Sequence, residues 1–368
     1  MEHIIGIKKI NLNEDKNFEY ILILKNNGLF NLYEIKNETK KMNEFNENIF
    51  EIDSLENMTN SNNDINFFIP TFAFYIKNYE NLLFTSVKLI DNYIFLSGNF
   101  NIIYFNINDF KELINNKTIK NNNNQINNIE IIHFKPKIIK KLLENTNELL
   151  INNIIFFNNY IIAYSKYGNI FIFDKNNKHL QYKFLINNKI SNEYYLKTLS
   201  FIDDVNLIYG DNYGCLYFLE IINSEIKYKN IFFDVSRNKT FNINDNISLL
   251  KNKYIISNII VQNNYYIVSC NNFILIIDKI LIICTNIIPF NSYINILYKY
   301  ENRIFIGKDD NLISEFRNKN SKLKSKFNSS ITSILISENN KIYFGGNSNI
   351  IEIYELTNNI YNLYNLYI

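Results

Sequence analysis

Residues Asn159 to Asp174 read NYIIAYSKYGNIFIFD. Two runs of Ile, Tyr and Phe flank a polar centre that holds Tyr167, Gly168 and Asn169. Branched and aromatic side chains suit a pleated surface. Gly and Asn accept the positive φ of a tight turn. The stretch therefore predicts a β-hairpin. The same arrangement returns in Tyr20 to Glu34 (YILILKNNGLFNLYE), Asn92 to Asn106 (NYIFLSGNFNIIYFN) and Val205 to Glu220 (VNLIYGDNYGCLYFLE). It returns again in Asn264 to Asp278 (NYYIVSCNNFILIID), Asn302 to Arg317 (NRIFIGKDDNLISEFR) and Asn340 to Glu355 (NKIYFGGNSNIIEIYE). Asn stands in for Gly at many of these turns, because its side chain tolerates the left-handed region.

Each hairpin closes on a large side chain: Tyr33, Phe105, Phe173, Leu219, Ile277, Phe316 and Tyr354. Apolar runs precede most of them, at Leu82 to Ile90, Leu149 to Phe157, Tyr195 to Ile202, Tyr254 to Val261, Tyr293 to Tyr298 and Ile331 to Ile336. These are expected as innermost strands, and runs after the hairpins, such as Ile280 to Cys284, as outermost ones. The spacing falls to about 40 residues toward the C-terminal end, the length of a four-stranded propeller blade. The longer intervals hold Asn-rich low-complexity insertions near 55–66 and 115–128. The expectation is an all-β chain whose residues 1–368 form one seven-bladed β-propeller, with a pair of β-sandwiches as the rival. Either Ile4 to Ile10 or Tyr361 to Ile368 is expected to complete the last blade. Two helices are expected between the second and third hairpins: one begins at Asp109 as N-cap, the other runs from Pro136 to Glu144.

Apolar residues make up 47% of the 368 and charged residues 20%, enough for a sizeable core. With 9 Gly and 3 Pro the chain lacks the raw material of Gly-rich phosphate loops. Asn, Ile, Lys, Tyr and Phe share A/T-rich codons, so codon bias accounts for much of this composition. The net charge of +2 provides no electrostatic footprint for nucleic acid. Only Arg237, Arg303 and Arg317 carry the guanidinium fork that grips phosphate or guanine. Cys215, Cys270 and Cys284 lie in apolar runs and read as reduced core thiols of an intracellular protein. The first residues lack the apolar core of a secretory signal. Phe273 to Ile288, interrupted by Asp278 and Lys279, is too short for a membrane span.

Catalytic and metal chemistry has little to work with. His3, His133 and His179 are isolated from one another and from any cysteine at ligand spacing. No nucleophile elbow, P-loop or dinucleotide fingerprint occurs. Asp203-Asp204 and Asp309-Asp310 fall at expected turns, where Asp bonds its own backbone. Catalytic, metal and cofactor sites are accordingly expected to be absent. The one candidate binding feature is Lys322, Lys324 and Lys326, which share a face if they sit on a strand. Lysines on an outermost strand blunt an exposed edge, and that reading is favoured over contact with RNA or an acidic partner.

The segment Ser165 to Asp174 resembles the closing cadence of WD repeats, S-G-x-x-D-G-x-I-x-V-W-D, with Phe173 in the Trp place. Tyr33-Glu34 and Tyr354-Glu355 are similar endings. No Gly-His dipeptide occurs, so the buried His-containing network of well-kept WD repeats is absent. A narrower resemblance, over roughly Val87 to Ile368, is to the THO complex subunit 6 family of WD-repeat proteins. It rests on Glu148 to Ile151 with Asn159 to Asp174, on Leu196 to Glu220, on Tyr265 to Asp278, and on the Ile-Pro element Thr285 to Phe290 followed by Ile304 to Gly307. That resemblance implies a non-enzymatic nuclear adaptor of mRNA packaging and export that docks on coiled-coil THO subunits. It implies no cofactor, no direct specific nucleic-acid binding and no membrane contact. The alternative is a WD scaffold of another assembly, in ribosome biogenesis or a nuclear-pore or coat complex.

Overall fold

Short apolar strands joined by tight turns can bury both faces only if the sheets they form stack on one another, and the chain is folded in that way. The computed structural model describes residues 4–10, 18–26, 29–36, 67–68, 72–76, 84–98, 102–108, 131–134, 137–138, 151–157, 160–165, 168–176, 180–185, 196–222, 225–242, 254–316, 318–325, 330–337, 341–347, 351–357 and 360–367. Among these, the strands make seven sheets of four or five strands. Consecutive strands within each sheet pair antiparallel. The third sheet, for example, runs Ile151–Phe157, Tyr160–Ser165, Asn169–Asp174 and Leu180–Leu185 from inside to outside.

The inner strands are Ile4–Ile10, Phe84–Ile90, Ile151–Phe157, Leu196–Phe201, Ile256–Val261, Ile294–Tyr300 and Ile331–Ile336. Each lies against the inner strand of the next sheet, and the seventh lies against the first, so the sheets close a ring. Seven apolar clusters fill the seven interfaces. Phe30 and Leu32 meet Ile94 and Leu96 between the first and second sheets. Ile4, Ile7, Ile21 and Ile23 meet Tyr343, Ile351 and Ile353 where the ring closes. The Thr332 hydroxyl also donates across this last interface to the Ile4 carbonyl, at 3.3 Å. Six of the seven hairpin-closing side chains are buried; Phe316 is half-buried.

One device repeats around the ring. Every inner strand carries a register shift between its first and third residues, a β-bulge that leaves the second residue unpaired. In the fourth and sixth sheets the bulge brings the inner strand close to a glycine on the second strand. Gly307 is such a residue: a Cβ there would stand 2.7 Å from the Ile296 Cγ2 and 2.9 Å from the Ile331 Cγ2 of the next sheet. Gly210 is pressed in the same way by Ile256. The expected turn chemistry also holds: Gly168, Gly214, Asn271 and Asn311 take positive φ at hairpin centres.

Several expectations need correction. Lys137–Ile138, inside the expected helix, is instead the outer strand of the second sheet and pairs with Tyr104 and Ile103. Pairing there satisfies backbone groups that a sheet edge leaves open. A helical turn already begins at Ile107–Asn108, and the Asn106 Oδ1 accepts from the Asn108 N–H at 2.8 Å, so Asn106 occupies the place expected of Asp109. Ile280 to Ile283 form a turn, and the outer strand of the fifth sheet is Cys284–Pro289. Of the two closures expected, the structure uses Ile360–Tyr367, the fourth strand of the last sheet. The Asn-rich insertions near 55–66 and 115–128 fall outside the described residues. They separate the third and fourth strands of the first two sheets, and each contributes a strand to a neighbour. Phe67–Phe68 pairs parallel with Ile360–Tyr367 of the seventh sheet, and Ile131–Phe134 pairs parallel with Phe72–Ile76 of the first.

Gly307→Ala and Gly210→Ala should each lower stability by about 1–3 kcal/mol through overpacking at the bulge. Urea midpoints followed by circular dichroism check this. Wild-type midpoints for both would show that the inner strands do not press on these glycines.

Candidate functional site

The groups that suggested chemistry in the sequence are occupied with structure. The Asp203 Oδ1 accepts from the Val205 N–H at 3.0 Å, the Asn206 N–H at 2.9 Å and the Asn206 Nδ2 at 2.8 Å, which ties a turn together. These bonds hold its carboxyl below the usual carboxylate range, against the burial that would raise it. Asp309 accepts from the Asn295 Nδ2 at 2.7 Å, and Asp310 accepts from the Leu312 N–H at 3.2 Å. Arg303 spends its fork on Glu315, at 2.8 and 2.7 Å. Arg237 pairs with the buried Asp234 at 3.4 Å. Arg317, His3 and His179 lie outside the described residues, and His133 falls in the parallel strand Ile131–Phe134. Cys215 and Cys270 are buried free thiols and Cys284 is partly exposed. Among the described residues no group of three His, Cys, Asp or Glu could hold a metal ion, and no helix is long and apolar enough to cross a membrane.

The outer rim is more informative. Asn318–Lys324 is the outermost strand of the sixth sheet. Lys324 is exposed while its neighbours Leu323 and Ser325 are buried, the alternation that a strand imposes. Lys322 belongs to the same strand, opposite Ser314; its side chain and the whole of Lys326 lie outside the described residues. Past the strand, Ser325 donates to the buried Glu352 of the seventh sheet, and the Tyr354 hydroxyl donates to Glu352 and to the Lys324 carbonyl. The end of the lysine strand is therefore pinned to the neighbouring sheet.

The edge of the fifth sheet has the opposite character. Its outer strand, Cys284–Pro289, carries no charge and is mostly exposed. The turn before it shows Ile280 at 90% exposure, Leu281 at 65% and Ile283 at 42%, and Ile287 on the strand is at 55%. Asp278 builds this turn by accepting from the Ile280 and Leu281 N–H groups at 2.8 and 2.9 Å. Ile282 sits at φ 51°, a conformation that a β-branched residue adopts only under constraint. The constraint comes from the fourth sheet, where the Thr240 hydroxyl donates to the Ile282 carbonyl and the Asn238 Oδ1 accepts from the Cys284 N–H. Arg237 and Lys239 lie over the Phe241 ring beside this contact, and Lys279 lies over Tyr266. The result is an uncharged, apolar sheet edge with cations at its flank. The outer strand begins at Cys284, after the expected run Ile280 to Cys284, so this edge is not apparent in the sequence.

Asp211, a fully buried carboxylate, is structural. Its Oδ1 accepts from the Tyr213 and Cys215 N–H groups at 2.9 and 2.8 Å in the turn of the fourth-sheet hairpin. The Oδ2 is buried beside the Tyr217 hydroxyl. Burial pushes the Asp211 carboxyl up to about 7, and the backbone N–H bonds pull the other way.

No family model matches the chain, and no curated protein matches it. Solved structures do. The WD40 β-propeller domain of Doa1 superposes with a TM-score of 0.59 at 9% identity, over 97% of this chain and 94% of that one. The computationally designed Ika8 protein superposes with a TM-score of 0.53 at 9% identity, over 96% of both. A chain of the Mitotic Checkpoint Complex superposes with a TM-score of 0.51 at 10% identity, over 78% of this chain and 83% of that one. The chain therefore has the fold of the WD40-type β-propellers, with all-β, antiparallel sheets.

Between about pH 4 and 7 the folded chain holds a proton on Asp211 that the unfolded chain has released. Stability from this group is thus greatest at the acid end and is lost as pH rises toward 7. Asp211→Asn keeps the Oδ1 acceptor and removes the charge. Urea midpoints should show the variant less sensitive to pH across this window and more stable than wild type near pH 8. An unchanged pH slope would mean that Asp211 is not titrating in the folded chain.

Proposed function

We propose that residues 1–368 form a non-enzymatic WD-repeat scaffold that docks a partner protein on the outer edge of its fifth sheet. One observation carries this: an uncharged apolar edge is presented on a ring whose sheet faces are otherwise stacked on one another. Outermost strands expose unpaired backbone groups and recruit extended segments by strand addition. The occupant that fits is a protein segment with apolar side chains for Ile280, Leu281, Ile283 and Ile287 and acidic residues for the flanking Lys239 and Lys279. Other WD40-type folds sit within multi-protein assemblies, the Mitotic Checkpoint Complex among them.

The finer reading is a THO-like adaptor in nuclear mRNA packaging and export, docking on coiled-coil THO subunits. It is supported by the sequence resemblance, whose Ile-Pro element, Thr285 to Phe290, overlaps the same exposed edge strand. Protein contacts, not nucleic acid, should then govern assembly. The net charge of +2 and the internal use of Arg237 and Arg303 support this, because an RNA-binding face concentrates free cations.

Tagged protein recovered from nuclease-treated nuclear extract should bring coiled-coil THO subunits with it. Ile280→Ser with Leu281→Ser should remove them without unfolding the chain, since both side chains are exposed. Charge reversal at Lys322, Lys324 and Lys326 should leave recovery unchanged and shift stability by no more than about 0.5 kcal/mol per site. Recovery that vanishes with nuclease or with the charge reversal would overturn the protein-only adaptor. Recovery that survives the edge variant would place docking elsewhere.

A further inference from the structure

The inner strands wall the centre of the ring, and their charges are one-sided. Across all seven, the charged residues are Lys8, Lys9, Lys88, Lys197 and Lys299, with no Asp or Glu. The chain as a whole has 38 Lys and Arg against 36 Asp and Glu, so this segregation is local.

The shared bulge sets all seven strands in a common register. The fourth residue of every inner strand is buried in an interface between sheets, as with Ile7, Val87 and Ile334. The fifth residue is only partly buried in every case. Five members of that fifth-residue ring are Ile155, Ser200, Ile260, Tyr298 and Leu335; the other two are Lys8 and Lys88. These two are on adjacent strands, Ile4–Ile10 and Phe84–Ile90, which touch. They are close enough that burial and the charge of Lys88 together press the Lys8 ammonium down to about 8, and burial lowers Lys88 as well.

Neither lysine has an ion pair or hydrogen bond with any described residue. Elsewhere, screened lysines are answered: Lys308, 5% exposed, reaches Asp310 at 3.3 Å, and Lys175 reaches Asp91 at 2.7 Å. Two like charges held together in a buried setting oppose folding unless something neutralises them. A concave, low-dielectric wall of one sign also concentrates ions of the other.

We propose that the central channel, at the level of Lys8 and Lys88, binds a small multiply charged anion of the oligophosphate class. Two ammonium groups act as compact point charges with freely rotating donors. They suit a tetrahedral oxyanion chain, and they lack the planar fork that selects a single carboxylate. The site is independent of the rim edge and of any partner docked there.

The test uses the full chain with sodium tripolyphosphate, against sodium chloride at matched ionic strength. Tripolyphosphate should raise the thermal midpoint in a saturable way, because a ligand bound only by the folded state stabilises it. Lys8→Met with Lys88→Met should weaken binding at least tenfold by calorimetry and should unfold at a higher temperature than wild type in anion-free buffer. Lys8→Arg with Lys88→Arg should retain binding. Lys324→Glu, on the rim, should bind like wild type. If the double methionine variant does not fold, Lys8→Gln alone is read in the same way. No saturable rise with wild type, or a rise that persists when both ammonium groups are gone, would overturn the proposal.

Discussion

The structure depends on the contact between the bulged inner strand of one sheet and the small residue it approaches on the second strand. At Gly210, Ile256 of the following sheet presses on the glycine; at Gly307, Ile296 and Ile331 converge on it. Sheets that pack this closely bury both faces, so their strands need not alternate apolar and polar residues. That is why Ile161 to Tyr164 and Ile170 to Phe173 are buried without a break. The bulge repeated in every inner strand, with each inner strand packed on the next, leaves the last sheet facing the first. Closure across Thr332 and Ile4 then removes the final exposed face.

Stacking the faces leaves the outer edges to be managed, and the chain manages them in different ways. The first and seventh sheets gain a parallel strand from an insertion in the sheet that follows them around the ring. The fourth sheet folds its own fifth strand, Lys239–Asn242, over its edge. The sixth ends in a strand rich in lysine. The fifth ends in Cys284–Pro289, which has no charge and, among the described residues, no cover, and carries exposed aliphatic side chains into the turn that precedes it. An edge of this kind is a liability in isolation. Here its turn is held in a strained conformation by bonds from Asn238 and Thr240 of the neighbouring sheet, so its shape is set by the ring.

Buried charge divides into answered and unanswered groups. Glu352 is satisfied by hydroxyls from Ser325 and Tyr354. Asp211 is satisfied on one oxygen by the backbone of its own turn, and its other oxygen is buried beside the Tyr217 hydroxyl. Lys8 and Lys88, on adjacent inner strands, have no ion pair or hydrogen bond with a described residue. Along the chain the clustered lysines are Lys322, Lys324 and Lys326. Lys8 and Lys88 are 80 positions apart in the numbering and meet only because the bulges set adjacent inner strands in register.

Local order was legible in the residues themselves. Hairpin turns at Gly168, Gly214, Asn271 and Asn311 are short-range events, decided by which side chains tolerate positive φ. The inner strands and the side chains that close each hairpin followed from runs of Ile, Tyr and Phe, whose burial needs only a second surface to pack on. What the sequence could not reveal were contacts whose partners lie far along the chain. Pro136 to Glu144 has helical spacing, yet Lys137–Ile138 became a strand because the edge of Ile102–Asn106 offered backbone bonds. The parallel strands Phe67–Phe68 and Ile131–Phe134, the apolar edge at Ile280 to Ile287 and the lysine pair all belong to this second kind. Propensity and turn chemistry act over a few residues, whereas pairing at a sheet edge and repulsion between adjacent inner strands exist only once segments far apart in the chain have been brought together.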